Sequence, residues 1–309
     1  MGAPPSAPAA LTVRGRTWRW GQRTLVMGVL NATPDSFSGD GLYAGAVGGT
    51  AAERAVAAAV AMVHDGADLI DIGGESTRPG GAAVDAAGER ARVVPVVAAV
   101  RAAVDVPISI DTSKAEVAAA ALDAGADLVN DVWALAADAR MAEVVARAGV
   151  PVVLMHNRAA RATTDATVGG HYADVRYDDV VAAVAGALRE RVEAARAAGI
   201  AADRIVIDPG LGFGKTPAQN LALLDRVGEL AALGFPVLVG PSRKSFVGAA
   251  LDLPPDDRLE GTAAAVAIAI ARGADIVRVH DVRAMARVAR MADAIVRRGS
   301  AAGTTPASR

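Results

Sequence analysis

Ile205-Val206-Ile207-Asp208-Pro209-Gly210-Leu211-Gly212-Phe213-Gly214-Lys215 couples an apolar strand to a turn with three glycines in five residues, and a carboxylate stands at the junction. Such a turn can approach a ligand closely, because glycine has no Cβ and accepts φ of either sign. A charged group ending a buried strand is costly unless something polar meets it. The same event recurs along the chain. Apolar stretches at 25–30, 69–72, 108–110, 128–129, 152–155, 205–207, 237–239 and 276–279 each stop at a polar residue or loop. Helical patterns rich in alanine lie between them, at 51–63, 89–104, 115–124, 141–148, 180–198, 219–233, 261–271 and 284–297. Strands this short and this apolar suit a parallel sheet covered on both faces. Eight strand–helix units in strict alternation predict an α/β fold, a (β/α)8 TIM barrel, with a short hairpin over 11–22 packed before it. The open doubly wound sheet remains the alternative, since alternation alone does not prove closure.

The 309 residues suit one such domain. The reading is a tail over 1–10, a single barrel domain over 11–298 and a second tail over 299–309, both tails expected to be disordered. The hydrophobic fraction of 52% comes mainly from Ala and Val. A formal net charge of −2 with interspersed signs argues against nucleic acid as a partner. No apolar run has the length of a membrane span, and the N-terminus lacks the pattern of a signal peptide. The absence of cysteine excludes disulfides and Cys-type metal sites and fits a reducing, cytoplasmic setting.

In a barrel, function gathers at the C-terminal ends of the strands. Those ends read Asn31, Asp71 with Glu75-Ser76-Thr77-Arg78, Asp111, Asn130-Asp131, His156, Asp208, Ser242-Arg243-Lys244, and Arg278 with His280. Acids, amides and bases converging from many strands make a recognition site for a small polar molecule. Asp111 and Asn130 end consecutive strands, and an acid beside an amide can read a guanidine-like N–C–N edge. Asp111 alone would read as an N-cap for the helix after it. Arg78, Arg278, His280 and Lys244 suit an anionic group, phosphate above all. Asn31, before the polar loop Ala32-Thr33-Pro34-Asp35-Ser36-Phe37, offers an oxygen suited to Mg²⁺. The P-loop pattern fails, because Pro209 stands where it needs glycine. His64 and His171 have no paired metal-ligand spacing.

Together these motifs resemble the dihydropteroate synthase family. Met27-Gly28-Val29-Leu30-Asn31-Ala32-Thr33-Pro34-Asp35-Ser36-Phe37-Ser38 is similar to its first signature, and Gly73-Gly74-Glu75-Ser76-Thr77-Arg78-Pro79-Gly80 to its second. Ser109-Ile110-Asp111-Thr112, Val129-Asn130-Asp131-Val132, Asp208 to Lys215, Ser242-Arg243-Lys244 and Arg278-Val279-His280 follow in order. The resemblance implies condensation of dihydropterin pyrophosphate with p-aminobenzoate on a TIM barrel, Mg²⁺ as cofactor, a homodimer, and an SN1-like loss of pyrophosphate. By position, Asp111, Asn130, Asp208, Lys244 and Arg278 would bind the pterin. Asn31, Arg78, Arg278 and His280 would bind the pyrophosphate, with Asn31 also on the metal. Thr77, Pro79, Phe213 and Ser242 would line the p-aminobenzoate site, and Asp111, Asp208, Lys244 and Asp35 would carry the catalysis.

Ser38-Gly39-Asp40-Gly41 departs from the family's usual Ser-Asp-Gly-Gly by shifting the acid one position, and Trp133 stands where small residues are usual and is expected to narrow the mouth. The alternatives are a pterin-dependent methyltransferase, against which the Ser242-Arg243-Lys244 motif argues, and a non-catalytic relative.

Overall fold

The structure is a computed structural model and describes residues 8–32, 50–75, 84–158 and 175–297. A two-stranded antiparallel hairpin, β1 (Leu11–Val13) and β2 (Arg16–Trp18), precedes the main sheet. The sheet comprises β3 (Leu25–Asn31), β4 (Leu69–Gly73), β5 (Ile108–Asp111), β6 (Leu128–Asp131), β7 (Val152–Met155), β8 (Ile205–Asp208), β9 (Leu238–Val239) and β10 (Ile276–Val279). These eight strands are parallel and follow the order β8-β7-β6-β5-β4-β3-β10-β9. A bridge between Ile207 and Val237, in which the Ile207 N–H donates to Pro236 O at 2.9 Å, joins the first strand of that order to the last. The ring is therefore closed, and the doubly wound alternative falls.

The helices are α1 (Ala51–His64), α2 (Ala86–Ala103), α3 (Ala115–Asp123), α4 (Met141–Ala148), α5 (Val180–Ala197), α6 (Pro217–Asp225), α7 (Val227–Ala231), α8 (Ser245–Leu251), α9 (Leu259–Ala271) and α10 (Val282–Val296). Two of their starts are chemically marked by reciprocal capping boxes, Thr50 with Glu53 and Thr216 with Gln219. Two expectations need correction. The helix expected over 219–233 is broken at Arg226, which leaves helical geometry (φ −111°) and whose guanidinium grips Asp179 at 2.9 and 3.0 Å and also Glu229. The short helix α8 was not anticipated. It spans seven residues, contains Gly248 and ends on Asp252 in the left-handed region, so its periodic signal is weak.

Several strands also run one or two residues beyond the expected end. Asn31, Gly73, Asp111, Asn130 and Asp208 are ladder residues rather than loop residues. The backbone of these side chains is thus held by the sheet, which gives a site more precision than loops provide.

Strand alternation divides the apolar residues into two sets. Val26, Ile70, Ile108, Val129, Val152, Ile207, Val239 and Val277 face the helices and form the outer core. Leu25, Met27, Leu69, Leu128, Val153, Val206, Leu238 and Ile276 fill the lower barrel, where Leu11, Val13 and Trp18 of the hairpin cover them. Each such side chain, removed from water, contributes on the order of 2 kcal/mol.

Candidate active site

Two residues along four of these strands from that apolar layer, the same inward face turns polar. Leu69 is followed by Asp71, Leu128 by Asn130, Val206 by Asp208 and Ile276 by Arg278. With period-two geometry these side chains must enter the barrel. There Arg278 donates from Nε to Asp71 Oδ2 at 2.6 Å and from its Nη2 to Asp111 Oδ2 at 2.8 Å. Asn130 donates from Nδ2 to the same Asp71 oxygen at 3.0 Å. Asp111 thereby keeps Oδ1, buried and without a partner among the described residues.

On the far side, Asp208 accepts the Gly210 N–H at 2.7 Å, which folds the glycine turn back over the strand end. Gly210 has a φ of +67°, and a Cβ there would lie 1.9 Å from the His156 carbonyl oxygen, so only glycine fits. Lys215, 1% exposed, holds the turn from beneath, donating to Gly210 O and Phe213 O at 2.9 Å each. Lys244 donates to Leu211 O, and its ammonium lies 4.8 Å from the centre of the Phe213 ring, within cation–π range.

Asp111, Asn130, Val132, Met155, Asp208, Phe213, Gly240, Lys244 and Arg278 line one pocket at this end of the barrel. Its electrostatics follow from burial over a dry floor. Burial pushes the Asp111 carboxyl well above the usual carboxylate range; Arg278 opposes the rise and Asp71 reinforces it. Asp208 is likewise raised by burial, against the pull of Lys244. The Lys244 ammonium is lowered to about 8 by burial, with Asp208 opposing, and Lys215 to about 7 for the same reason. Asp111 and Asp208 share the pocket wall with Lys244 and Arg278, and the two carboxylates, when ionised, favour a positive charge forming beside them. Aromatic and thioether walls (Phe213, Met155) suit a flat ring between polar edges.

The structure thus brings together Asp111, Asn130, Asp208, Lys244, Arg278 and Phe213. Ser242 and His280 meet at the rim beside them: His280 Nδ1 lies 3.0 Å from Ser242 Oγ, which also accepts the His280 N–H at 3.2 Å. Asn31 ends β3 opposite Gly73. Asp35, Thr77, Arg78 and Pro79, like Asp40 of the shifted loop acid, lie outside the described residues.

Other rim residues do not enter the pocket wall. Asp131 accepts the Trp133 and Leu135 N–H groups at 2.9 and 2.7 Å and shapes the turn after β6. Trp133, expected to narrow the mouth, is not part of the wall; Val132 is. Arg243 turns away to a two-point ion pair with Asp281 at 2.6 and 3.0 Å. His156 is buried, its basicity lowered to about 3 by burial and by Lys215. Sequence reading counted Asp71 among the polar strand ends but gave it no role of its own; it lies instead at the centre of Leu69-Ile70-Asp71-Ile72-Gly73, in phase with inward-facing Leu69.

Comparison with known proteins agrees with this geometry. Residues 27–280 match the family model described as pterin binding enzyme. A dihydropteroate synthase of Bacillus subtilis is 45% identical over 278 residues, covering 90% of each chain. Among solved structures, dihydropteroate synthase from Xanthomonas albilineans in complex with 7,8-dihydropteroate superposes with a TM-score of 0.80 at 41% identity, covering 93% of this chain and 98% of that one. The Yersinia pestis enzyme in a sulfonamide drug complex gives a TM-score of 0.82 at 41% identity, covering 93% and 99%.

Proposed function

The chain belongs to the pterin-binding enzyme family as a dihydropteroate synthase, and we propose that the acid–amide–arginine pocket is where it holds its pterin substrate. Its activity is that of a transferase: it condenses (7,8-dihydropterin-6-yl)methyl diphosphate with 4-aminobenzoate, giving 7,8-dihydropteroate and diphosphate. The observation that carries the assignment of the pocket is the lining set Asp111, Asn130, Asp208, Lys244 and Arg278 together with Phe213 and Met155. The amino-pyrimidinone edge of a pterin offers paired N–H donors and acceptors, which matches carboxylates with open oxygens beside an amide and an ammonium.

In this reading the bond between the pterin methylene carbon and the diphosphate oxygen breaks first, and its electron pair leaves with the diphosphate. The pterin cation left behind sits among Asp111 and Asp208, whose charge favours it more than the uncharged pterin ring of the substrate, a transition-state role beyond binding. The arylamine lone pair then closes the C–N bond, and the ammonium proton passes to solvent. Arg278 and His280, with Arg78, would receive the diphosphate. Ser242 and Phe213, with Thr77 and Pro79, would border the 4-aminobenzoate, for which a sulfonamide is a competitor. Asp35 and Lys244 complete the catalytic set, and no residue acts as a covalent nucleophile.

Mg²⁺ would be held at Asn31 together with substrate phosphate oxygens. Mg²⁺ takes few protein groups and completes its shell with water and phosphate, which suits a single amide oxygen beside a diphosphate. When bound, it would neutralise charge on the departing diphosphate. A homodimer and a cytoplasmic location complete the reading; among the described residues no helix is long and apolar enough to cross a membrane.

Diphosphate release from purified protein, Mg²⁺ and both substrates, with each omitted in turn, tests this directly. Release that requires all three, matched by an equal amount of dihydropteroate, supports it. An inert protein that still binds the pterin diphosphate would point to the non-catalytic relative. Absence of pterin binding would remove the assignment of the pocket.

A further inference from the structure

Asp71 is fully buried and does not belong to the pocket wall, yet two residues that do, Asn130 and Arg278, both hydrogen-bond to its Oδ2. We propose that Asp71 is the positioning residue of the pterin site, setting which way Asn130 faces and the plane of Arg278 without touching the substrate itself. The inference rests on the reading of this pocket as the pterin site.

The reason is chemical. A side-chain amide has nearly the same shape in its two flipped forms, so packing alone selects poorly between them. A carboxylate only accepts, so an amide pressed against Asp71 must turn its NH₂ inward. Asn130 is then left with its oxygen and one remaining N–H for a ligand, in one arrangement instead of two. Arg278 is pinned in the same way: Nε is taken by Asp71 and Nη2 by Asp111, and a planar guanidinium held at two points of its fork cannot rotate. Asp71 also stands across β4–β5 from Ser109, beneath the pocket, where the apolar lower barrel keeps the surroundings dry. A charge-assisted contact is worth most in such a place.

The test is steady-state kinetics of Asp71→Asn, with the wild type alongside. The substitution keeps the size of the side chain and removes its charge and its strict acceptor character. The KM for dihydropterin diphosphate should rise about tenfold or more, the loss of one good charge-assisted interaction, while the KM for 4-aminobenzoate stays within about twofold. A second readout is one that a merely structural role would not move. Arg278, Asp71, Glu89 and Asp131 act on Asp111, and Asp111 in turn acts on Lys244. Removing the charge of Asp71 lets Asp111 titrate lower, so the acid limb of the pterin kcat/KM profile should move to lower pH. A third is coupling: because Asp71 acts in part through Asn130, the double variant Asp71→Asn, Asn130→Ala should lose clearly less than the sum of the two single variants.

Equal changes in both KM values, an unmoved acid limb or additive losses would each overturn the inference. Should Asp71→Asn fail to fold, the smaller Asp71→Ser is measured by the same three readouts. A wild type that does not bind the pterin diphosphate would instead sink the assignment of the pocket, so the two failures are distinguishable.

Discussion

The lower and upper halves of this barrel are built by the same strands with the same alternation, and they do opposite things. Below, Leu69, Leu128, Val206 and Ile276 meet under the hairpin and exclude water. One inward step higher, the same four strands present Asp71, Asn130, Asp208 and Arg278. The lesson is that the lower half sets the chemistry of the upper one. A floor sealed by Leu11, Val13 and Trp18 keeps solvent from screening the charges above it, so their mutual pull is strong and their proton affinities are displaced.

The sharpest way to break this contrast is Arg278→Ala. It leaves Asp71 and Asp111 buried without their shared cation, and removing one partner of a buried charge set typically costs about 3–5 kcal/mol. Urea unfolding should register that loss, and turnover should fall by roughly a thousandfold or more. If stability and activity both survive, the upper half is wetter than described. The complementary change, Trp18→Ala, opens the floor. A loss of roughly 3 kcal/mol is expected from the cavity, with turnover at low temperature reduced far less than by Arg278→Ala. Activity abolished while stability stays intact would mean that the floor does more than exclude water.

Lys244 allows a finer test through pH. Burial holds its pKa at about 8, whereas the unfolded chain keeps that proton to about pH 10. Between those values the unfolded state binds more protons, so this residue makes stability rise with pH. Over the same window the pocket loses its ammonium, so affinity for the pterin diphosphate should fall. Calorimetric binding and urea midpoints measured from pH 7 to 10 should therefore slope in opposite directions, and both slopes should flatten in Lys244→Met. The smallest effect concerns the rim. Ser242→Ala removes the hydroxyl that meets both the ring and the backbone of His280, which should cost about 1 kcal/mol, read in the melting temperature, with a several-fold change in diphosphate inhibition.

Much of the site was legible because it follows the strand pattern. Asp111, Asn130, Asp208, Lys244 and Arg278 were each named from their place at or just after a strand end, Phe213 from the family resemblance, and the fold draws such ends together at one mouth. Asp131 was misleading for the same reason. It stands beside Asn130 in sequence, but alternation sends it outward, where it braces the backbone at Trp133 and Leu135. Arg243 belongs to a motif full of cations, yet its φ of +58° and its grip on Asp281 take it out of the pocket. At the break, Arg226 joins Asp179, 47 residues away, as well as nearby Glu229, and no local period records that contact.

By itself the sequence determined the alternation of strands and helices, the inward phase of each strand and the polar residue that ends it, because these depend on neighbours within a few positions. The tertiary structure decided which ends became partners. Closure rests on the meeting of Ile207 with Val237. The centre of the site rests on Arg278 reaching Asp71 and Asp111, 207 and 167 residues away in the chain. Periodicity states which way a side chain points; only the pairing order β5-β4-β3-β10 on a curved sheet brings these ends near enough for one guanidinium to serve two carboxylates.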